Sequence, residues 1–438
     1  MTTKQIDIPI KIDHIARIEG KAGVEVIVEN EKVKEIKVNV FEGPRFFEAI
    51  ALGKPIDEAT AIFPRVCSFC AAAHKITAIQ AAEKAMQITP SKQTKMLREL
   101  MYLGDQIESH TLHLFLLALP DFLGFPDAFS MAKEHSSAVK TALELKDVGA
   151  KIQTLLGSRF MHQENAIIGG FGKLPTKNSL NEIKLNIKSL LKDSELALEL
   201  FLPHKIWSEV SSERTHLALK PYGNSYGVFG DDIKASDDTI FAAEKYRENI
   251  VEKVVPHSFA KHSLFKNKPF MTGALSRITL FGNLLNGRAA ELASTNKEVL
   301  DSTNPMANNF AQAIELVYFM EKALLITEDL LENLKENEKI KKIKLKEPGI
   351  GVSITEAPRG LLAYTLEVDK NGLVTQADII TPTAMFLPQL EADLKKEAEA
   401  LLQTGKSYGN VIQHRLQTIV RAYDPCVSCS VHVTGVKK

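Results

Sequence analysis

All four cysteines of this 438-residue chain fall in two Cys-x-x-Cys pairs, Cys67 with Cys70 and Cys426 with Cys429, separated by 356 residues. Each pair is followed by a histidine, His74 in RVCSFCAAAH and His432 in DPCVSCSVH. A Cys-x-x-Cys turn presents two sulfurs to one metal, and no thiol is left over for any other use. The fold must therefore bring distant ends of the chain to one soft-metal centre. Spacing alone leaves three readings open: structural zinc held by four thiolates, an iron–sulfur cluster, or disulfides. Disulfides weigh least, since nothing suggests an oxidising compartment. A zinc knuckle is usually compact, whereas closing a loop of this length costs entropy that a folding staple need not incur.

Composition narrows the class. Lys+Arg and Asp+Glu both number 54, so the basic excess expected of a nucleic-acid-binding protein is missing. No apolar run approaches the length of a membrane span, and MTTKQIDIPIKID lacks the apolar core of a secretory signal. The expectation is a cytoplasmic enzyme subunit with no direct membrane insertion.

Alternating apolar and polar residues over 6–41, broken at Glu29-Asn30-Glu31-Lys32, predict a small antiparallel sheet. Helical periodicity then dominates. A helix starting near Cys70 would place His74 one turn on, on the same face as that thiol. Further helices are expected over 92–118, 178–201, 236–255, 308–335 and 387–403, with strands across 345–380 turning at ITEAPRG. The lysine-rich 333–347 reads as a solvated helix end or loop. The fold class is α+β and predominantly helical: one unit over 1–438, a long-helix bundle core with small peripheral β-sheets.

Arg-x-Cys-x-x-Cys-x-x-x-His near one end and Asp-Pro-Cys-x-x-Cys-x-x-His near the other resemble the signatures of nickel–iron hydrogenase large subunits. The resemblance continues, in order, through HIARIEG (14–20), PRFFE (44–48), HTLHLFLLALPD (110–121), TGALSR (272–277), EAPRG (356–360) and ITPTA (380–384). It implies nickel held by four thiolates and iron sharing two of them, the iron also carrying carbon monoxide and cyanide. Cys67 and Cys426 would be terminal on nickel, and Cys70 and Cys429 would bridge. His74 would tune a bridging sulfur. Glu48, His432 and a carbonyl near Ile379 match the ligands of a magnesium ion. Glu19 would carry protons away from Cys426. Arg359, preceded by Pro358, would face the metals, anchored by Asp121 and Asp424. Thr383 would donate a hydrogen bond to a cyanide. On their own, Glu48 reads as a solvated charge, Glu19 as a strand-end salt bridge and His74 as a satisfied helix-face histidine.

Three positions depart from the common pattern: Ser68 replaces a glycine, Tyr364 a histidine, and no proline follows the histidine of SRFMHQENAIIGG. These changes resemble the soluble NAD(P)-linked, sulfhydrogenase-like enzymes. The resemblance implies reversible heterolytic cleavage of dihydrogen. With no cysteine left for a relay, electrons must leave through an iron–sulfur small subunit and on to flavin- and NAD(P)-binding diaphorase subunits. It also implies a maturation protease that removes 433–438 after His432. Two rivals differ in class. A zinc-stapled structural subunit of a redox complex keeps the cysteines without catalysis, and the related quinone-reducing respiratory subunit shares the fold but typically lacks both pairs.

Overall fold

The computed structural model describes residues 10–30, 32–204, 210, 213–301, 303–338, 347–403 and 410–431. His432, the tail 433–438 and most of the lysine-rich 333–347 stretch lie outside these residues. The long helices are Ala71–Ala85, Lys92–Thr111, Ser136–Gly157, Ala307–Asn333 and Pro382–Gln403. Three-stranded antiparallel sheets flank them, the first made of Ile10–Ile12, Ala22–Glu29 and Lys32–Val40. Its hairpin turns at Asn30, whose φ of 51° is the left-handed conformation that asparagine tolerates.

The helix Ala71–Ala85 begins directly after Cys70 and is buried on almost every side. Its alanines let it lie against the sheet of Gly349–Ala357, Gly360–Val368 and Val374–Ile380. The approach is so close that a Cβ on Gly351 would come within 1.9 Å of the Ala81 carbonyl oxygen. Buried hydroxyls then lock the layers together: Thr355 on the sheet meets Thr77 at 2.6 Å and the Tyr102 hydroxyl at 2.7 Å. Gln106 donates to the Glu356 carbonyl at 2.7 Å. One large apolar cluster fills the space between helices and sheets.

Two expectations need correction. The segment 236–255 is not a helix but the strands Ile240–Ala242 and Ile250–Lys253, joined through a short helical stretch ending at Asn249. Asp237 caps the turn by accepting the Thr239 amide at 3.1 Å, and Asp238 takes a φ of 63°. The β-branched Ile250, Val251, Val254 and Val255 favour extension there over the helical period. The expected helix over 92–118 is α-helical only to Thr111, and Leu112–Ala118 is a π-helix. Such turns widen a helix and concentrate at functional sites.

Candidate metal centre

The four thiols are all free, all buried, and lie within 4.8 Å of one another. Cys67 and Cys426 Sγ atoms are 3.2 Å apart, and those of Cys70 and Cys429 are 3.8 Å apart. Both separations are far beyond a disulfide bond and suit sulfurs converging on a shared ion. Each pair sits on a turn entering a helix, before Ala71–Ala85 and at Val427–Ser430. Burial works against ionising any of these thiols, and it pushes Cys426 and Cys429 well up. Cys67 ends below the usual thiol range because hydrogen bonds from the other three outweigh its burial.

The surroundings are asymmetric. Beside Cys70, Cys426 and Cys429 is a small, partly enclosed space walled by His74, Ala357, Pro358, Arg359, Leu362 and Pro382. A structural zinc filling a four-thiolate tetrahedron has no use for such a space.

Arg359 is held in that wall from several sides. Its Nη2 is 3.0 Å from Asp424 Oδ1, its Nη1 donates to Ser109 Oγ at 3.1 Å, and its guanidinium sits 5.7 Å from the centre of the Phe69 ring. Its Nε is a buried donor with no hydrogen-bond partner among the described residues. Asp424 is in turn fixed by Gln312 Nε2 at 3.1 Å. The backbone of the turn is gripped by Arg277 of TGALSR, which donates to the Ala357 and Pro358 carbonyls at 3.1 and 3.3 Å. Arg277 is itself paired with Glu315 and Glu356. Gly360 has a φ of 129°, and a Cβ there would meet Thr272 at 2.6 Å, so no other residue fits.

Asp121 is not part of this arrangement. Its carboxylate is bound by Arg421 Nη1 at 2.8 and 3.0 Å and by Arg17. The second carboxyl near Arg359 belongs to Asp105, fully buried and pushed well above the usual carboxylate range by burial and then by Glu108, against the opposing pull of Arg359. More than two turns of helix separate the two aspartates, and Asp121 is committed to Arg421 and Arg17, so one cannot stand in for the other. In GDQIESH every polar side chain is buried, a feature of the fold that the sequence spacing does not reveal, so Asp105 carries no signal of its own.

Glu19 lies where expected. Its Oε2 accepts from Cys426 Sγ at 3.2 Å and from the Ser428 amide at 3.0 Å, while the Ser428 hydroxyl donates to Oε1. A parallel bridge between Glu19 and Cys426, with Val427 donating to the Glu19 carbonyl at 3.0 Å, fixes the pairing through the backbone. Burial, then the negative charge at Cys67, raises the Glu19 carboxyl despite these hydrogen bonds. Ser428 is a contact that sequence reasoning missed.

His74 Nδ1 is 2.6 Å from the hydroxyl of Tyr364, so the residue that departs from the family pattern is the one that orients this histidine. Thr383 Oγ1 accepts the Cys426 amide at 2.9 Å, which ties the second cysteine turn to the helix Pro382–Gln403 and leaves the hydroxyl proton for another acceptor. Glu48 Oε1 accepts the Ile379 amide at 2.7 Å. Both line a cavity of about 270 Å³ that also touches Ser428 and Cys429. A carboxylate and a strand edge facing a wet cavity fit a hard cation.

Comparison with known proteins agrees with this geometry. The family described as nickel-dependent hydrogenase matches residues 45–142 and 232–432. The chain is 51% identical to the Pyrococcus furiosus sulfhydrogenase 1 subunit alpha, across 98% of this chain and 99% of that one. It is 37% identical to the sulfhydrogenase 2 subunit alpha of the same organism, across 97% and 98%. Among solved structures, an NAD+-reducing NiFe hydrogenase in its H2-reduced state superposes with a TM-score of 0.88 at 23% identity, covering 97% of this chain and 99% of that one. The NiFeSe hydrogenase of Desulfomicrobium baculatum follows the same fold, with a TM-score of 0.74 at 19% identity and coverage of 97% and 100%. Among the described residues, no helix is long and apolar enough to cross a membrane. With four converging thiols, a walled space beside three of them and matches along its length, this chain belongs to the nickel-dependent hydrogenase family.

Proposed function

We propose that this chain is the unit in which dihydrogen is reversibly split, with Cys67 and Cys426 terminal on nickel and Cys70 and Cys429 bridging nickel to iron. The convergence of four buried thiols, with Arg359 and Pro358 in the wall of a small space beside Cys70 and Cys429, carries this reading. When bound, the two metals supply heterolytic cleavage of dihydrogen. The remaining work belongs to the chain's own residues. Arg359 holds a fixed positive charge at the wall, kept in place by Asp424 and Ser109 and facing the Asp105 carboxyl. The Pro358 and Pro382 rings and the Leu362 side chain exclude water. The Thr383 hydroxyl proton is placed for a cyanide nitrogen. Glu48, the Ile379 carbonyl and His432 are the proposed magnesium ligands, with magnesium bracing the second cysteine turn from its wet side.

Protons leave from Cys426 Sγ to Glu19 and onward past Ser428. Glu19→Gln keeps the shape and, through its one remaining oxygen, the hydrogen bond from the Ser428 amide, but carries no exchangeable carboxyl proton. Such a variant is expected to retain nickel and iron while hydrogen–deuterium exchange falls by about 10²–10⁴-fold, the usual weight of one acid–base group. Undiminished exchange would assign the proton to another group. Electrons leave through an iron–sulfur small subunit, since all four cysteines are committed, and pass to flavin- and NAD(P)-binding subunits in a cytoplasmic complex. The subunit-alpha designations of the relatives and the NAD+-reducing structural neighbour support this partner set. Cleavage after His432 by a maturation protease completes the proposal.

The deciding experiment is metal analysis with infrared spectroscopy on the matured subunit. One nickel and one iron per chain, with stretching bands from carbon monoxide and cyanide, are expected. Zinc in place of nickel, without such bands, would reduce the cysteines to a structural staple.

A further inference from the structure

Away from the thiols, His257, His262 and Glu391 bring one ligand atom each to within 4.8 Å of the others. They come from separate parts of the fold. His262 opens the strand His262–Phe265, His257 lies in the loop before it, and Glu391 projects from the helix Pro382–Gln403. The loop is pinned by the Phe259 amide on the Val40 carbonyl at 2.9 Å, and by an antiparallel bridge between Ala260 and Val431.

Glu391 Oε1 is hydrogen-bonded by His257 Nε2 at 3.0 Å and by the Val38 amide at 2.8 Å, while its Oε2 meets His262 across a wider gap. His262 Nδ1 is 3.7 Å from Glu391 Oε2, too long for a hydrogen bond. Its Nε2 is buried with no hydrogen-bond partner among the described residues. With the ring proton on Nε2, the Nδ1 lone pair of this 8% exposed side chain faces Glu391 and can take an ion or a water. His257 Nε2 is 3.0 Å from Glu391 Oε1. Ligand atoms set tetrahedrally about 2.0–2.2 Å from zinc lie roughly 3.3–3.6 Å from one another, so small shifts bring all three into range. The Val38 amide donates to Glu391 Oε1 at 2.8 Å, the kind of outer hydrogen bond that orients a metal-bound carboxylate. That leaves Oε2 to face the ion. His257, the least buried of the two histidines, also borders a surface cavity of about 310 Å³, from which a fourth ligand, water, can enter.

We propose that His257, His262 and Glu391 form a second metal site, selective for a zinc-class divalent ion and independent of the nickel–iron centre. Two imidazoles and one carboxylate suit a borderline first-row ion better than magnesium or calcium, which prefer all-oxygen shells. The ion ties the loop 254–261 to the helix Pro382–Gln403 and to the first sheet. Through Ala260 and Val431 it steadies the segment directly after Cys429.

The test uses the complex as purified, stripped with dipicolinate and titrated with zinc chloride while nickel and iron are measured in the same sample. Wild type should rebind one zinc per chain and unfold at a higher temperature in its presence. A His257→Gln/His262→Gln variant should bind zinc at least about a hundredfold more weakly, with nickel, iron and exchange activity unchanged. No zinc uptake by wild type, or uptake that the variant retains, overturns the site and leaves an ion-paired cluster. Should the double variant fail to fold, cobalt(II) added to stripped wild type decides: visible bands of a tetrahedral nitrogen–oxygen site support the proposal, and their absence sinks it. Failure of the nickel–iron reading would show instead in the nickel and infrared data, which these variants do not touch.

Discussion

Cys426→Ser should abolish nickel retention and all hydrogen–deuterium exchange while leaving the fold of the subunit in place. Serine is close to isosteric, so the Cys426 amide can still donate to Thr383 and the bridge to Glu19 can still form. What changes is the donor atom. A serine hydroxyl is a hard oxygen that stays protonated at neutral pH, and it cannot replace a thiolate toward a soft-metal pair. The three remaining sulfurs would still gather within the same 4.8 Å, but they would close the centre without its terminal position. The check is nickel content and exchange activity beside a thermal unfolding curve. A variant that retained nickel and turned over hydrogen would remove Cys426 from the ligand set, whereas one that lost its fold altogether would point to the zinc-staple reading.

Arg359→Lys is the second large effect, and it separates geometry from charge. Lysine keeps one positive charge but cannot reach Ser109 and Asp424 at once with a planar fork, as Arg359 does through Nη1 and Nη2. Losing one preorganised donor of this kind typically costs about 10²–10³ in kcat. Exchange should fall by that amount with nickel and iron retained and the cyanide bands nearly unmoved. Arg359→Leu is a poorer probe. It strands Asp424 in the core without its counter-charge, and breaking a buried pair from one side costs about 3–5 kcal/mol. Full activity in the lysine variant would mean that the arginine serves only to hold the turn Ala357–Gly360 together.

The parts of the site that were legible in the sequence are those whose chemistry is rare. Four thiols in two chelating turns admit few arrangements, and the structure joins them. Glu19 beside Cys426 and Glu48 beside Ile379 come with the motifs that flank the cysteines, and the fold puts both pairs in contact. Asp121 was misassigned because HTLHLFLLALPD is a conspicuous string, whereas the relevant carboxyl, Asp105, sits in a helix whose apolar spacing looked ordinary. A helix buried on all sides does not advertise which of its polar residues faces the chemistry. Tyr364 shows a different limit: the sequence marks it only as a departure from the common histidine, and its hydroxyl contact with His74 is one that no residue pattern encodes. The misread segment 236–255 fails for a local reason, since the turn at Asp237 and Asp238 overrides a periodicity that fits either state.

The separation of the two cysteine turns has a consequence for the order of events during synthesis. Chains grow at about 5–20 residues per second, so Cys67 and Cys70 are made roughly 20–70 seconds before Cys426 and Cys429 exist. Through that interval the nascent chain carries half a chelate, two thiols able to take up copper or zinc and hold it in the wrong coordination. The helix Ala71–Ala85 that follows Cys70, and the sheet it must meet at Gly349–Ala357, are likewise separated by most of the chain. Until the sheet and the second cysteine turn arrive, the first pair lacks the wall that Ala357, Pro358 and Arg359 supply. Fidelity at this centre is then a matter of timing as well as of affinity, and the early half-site is the point at which a chaperone or a metal-poor environment has most to protect.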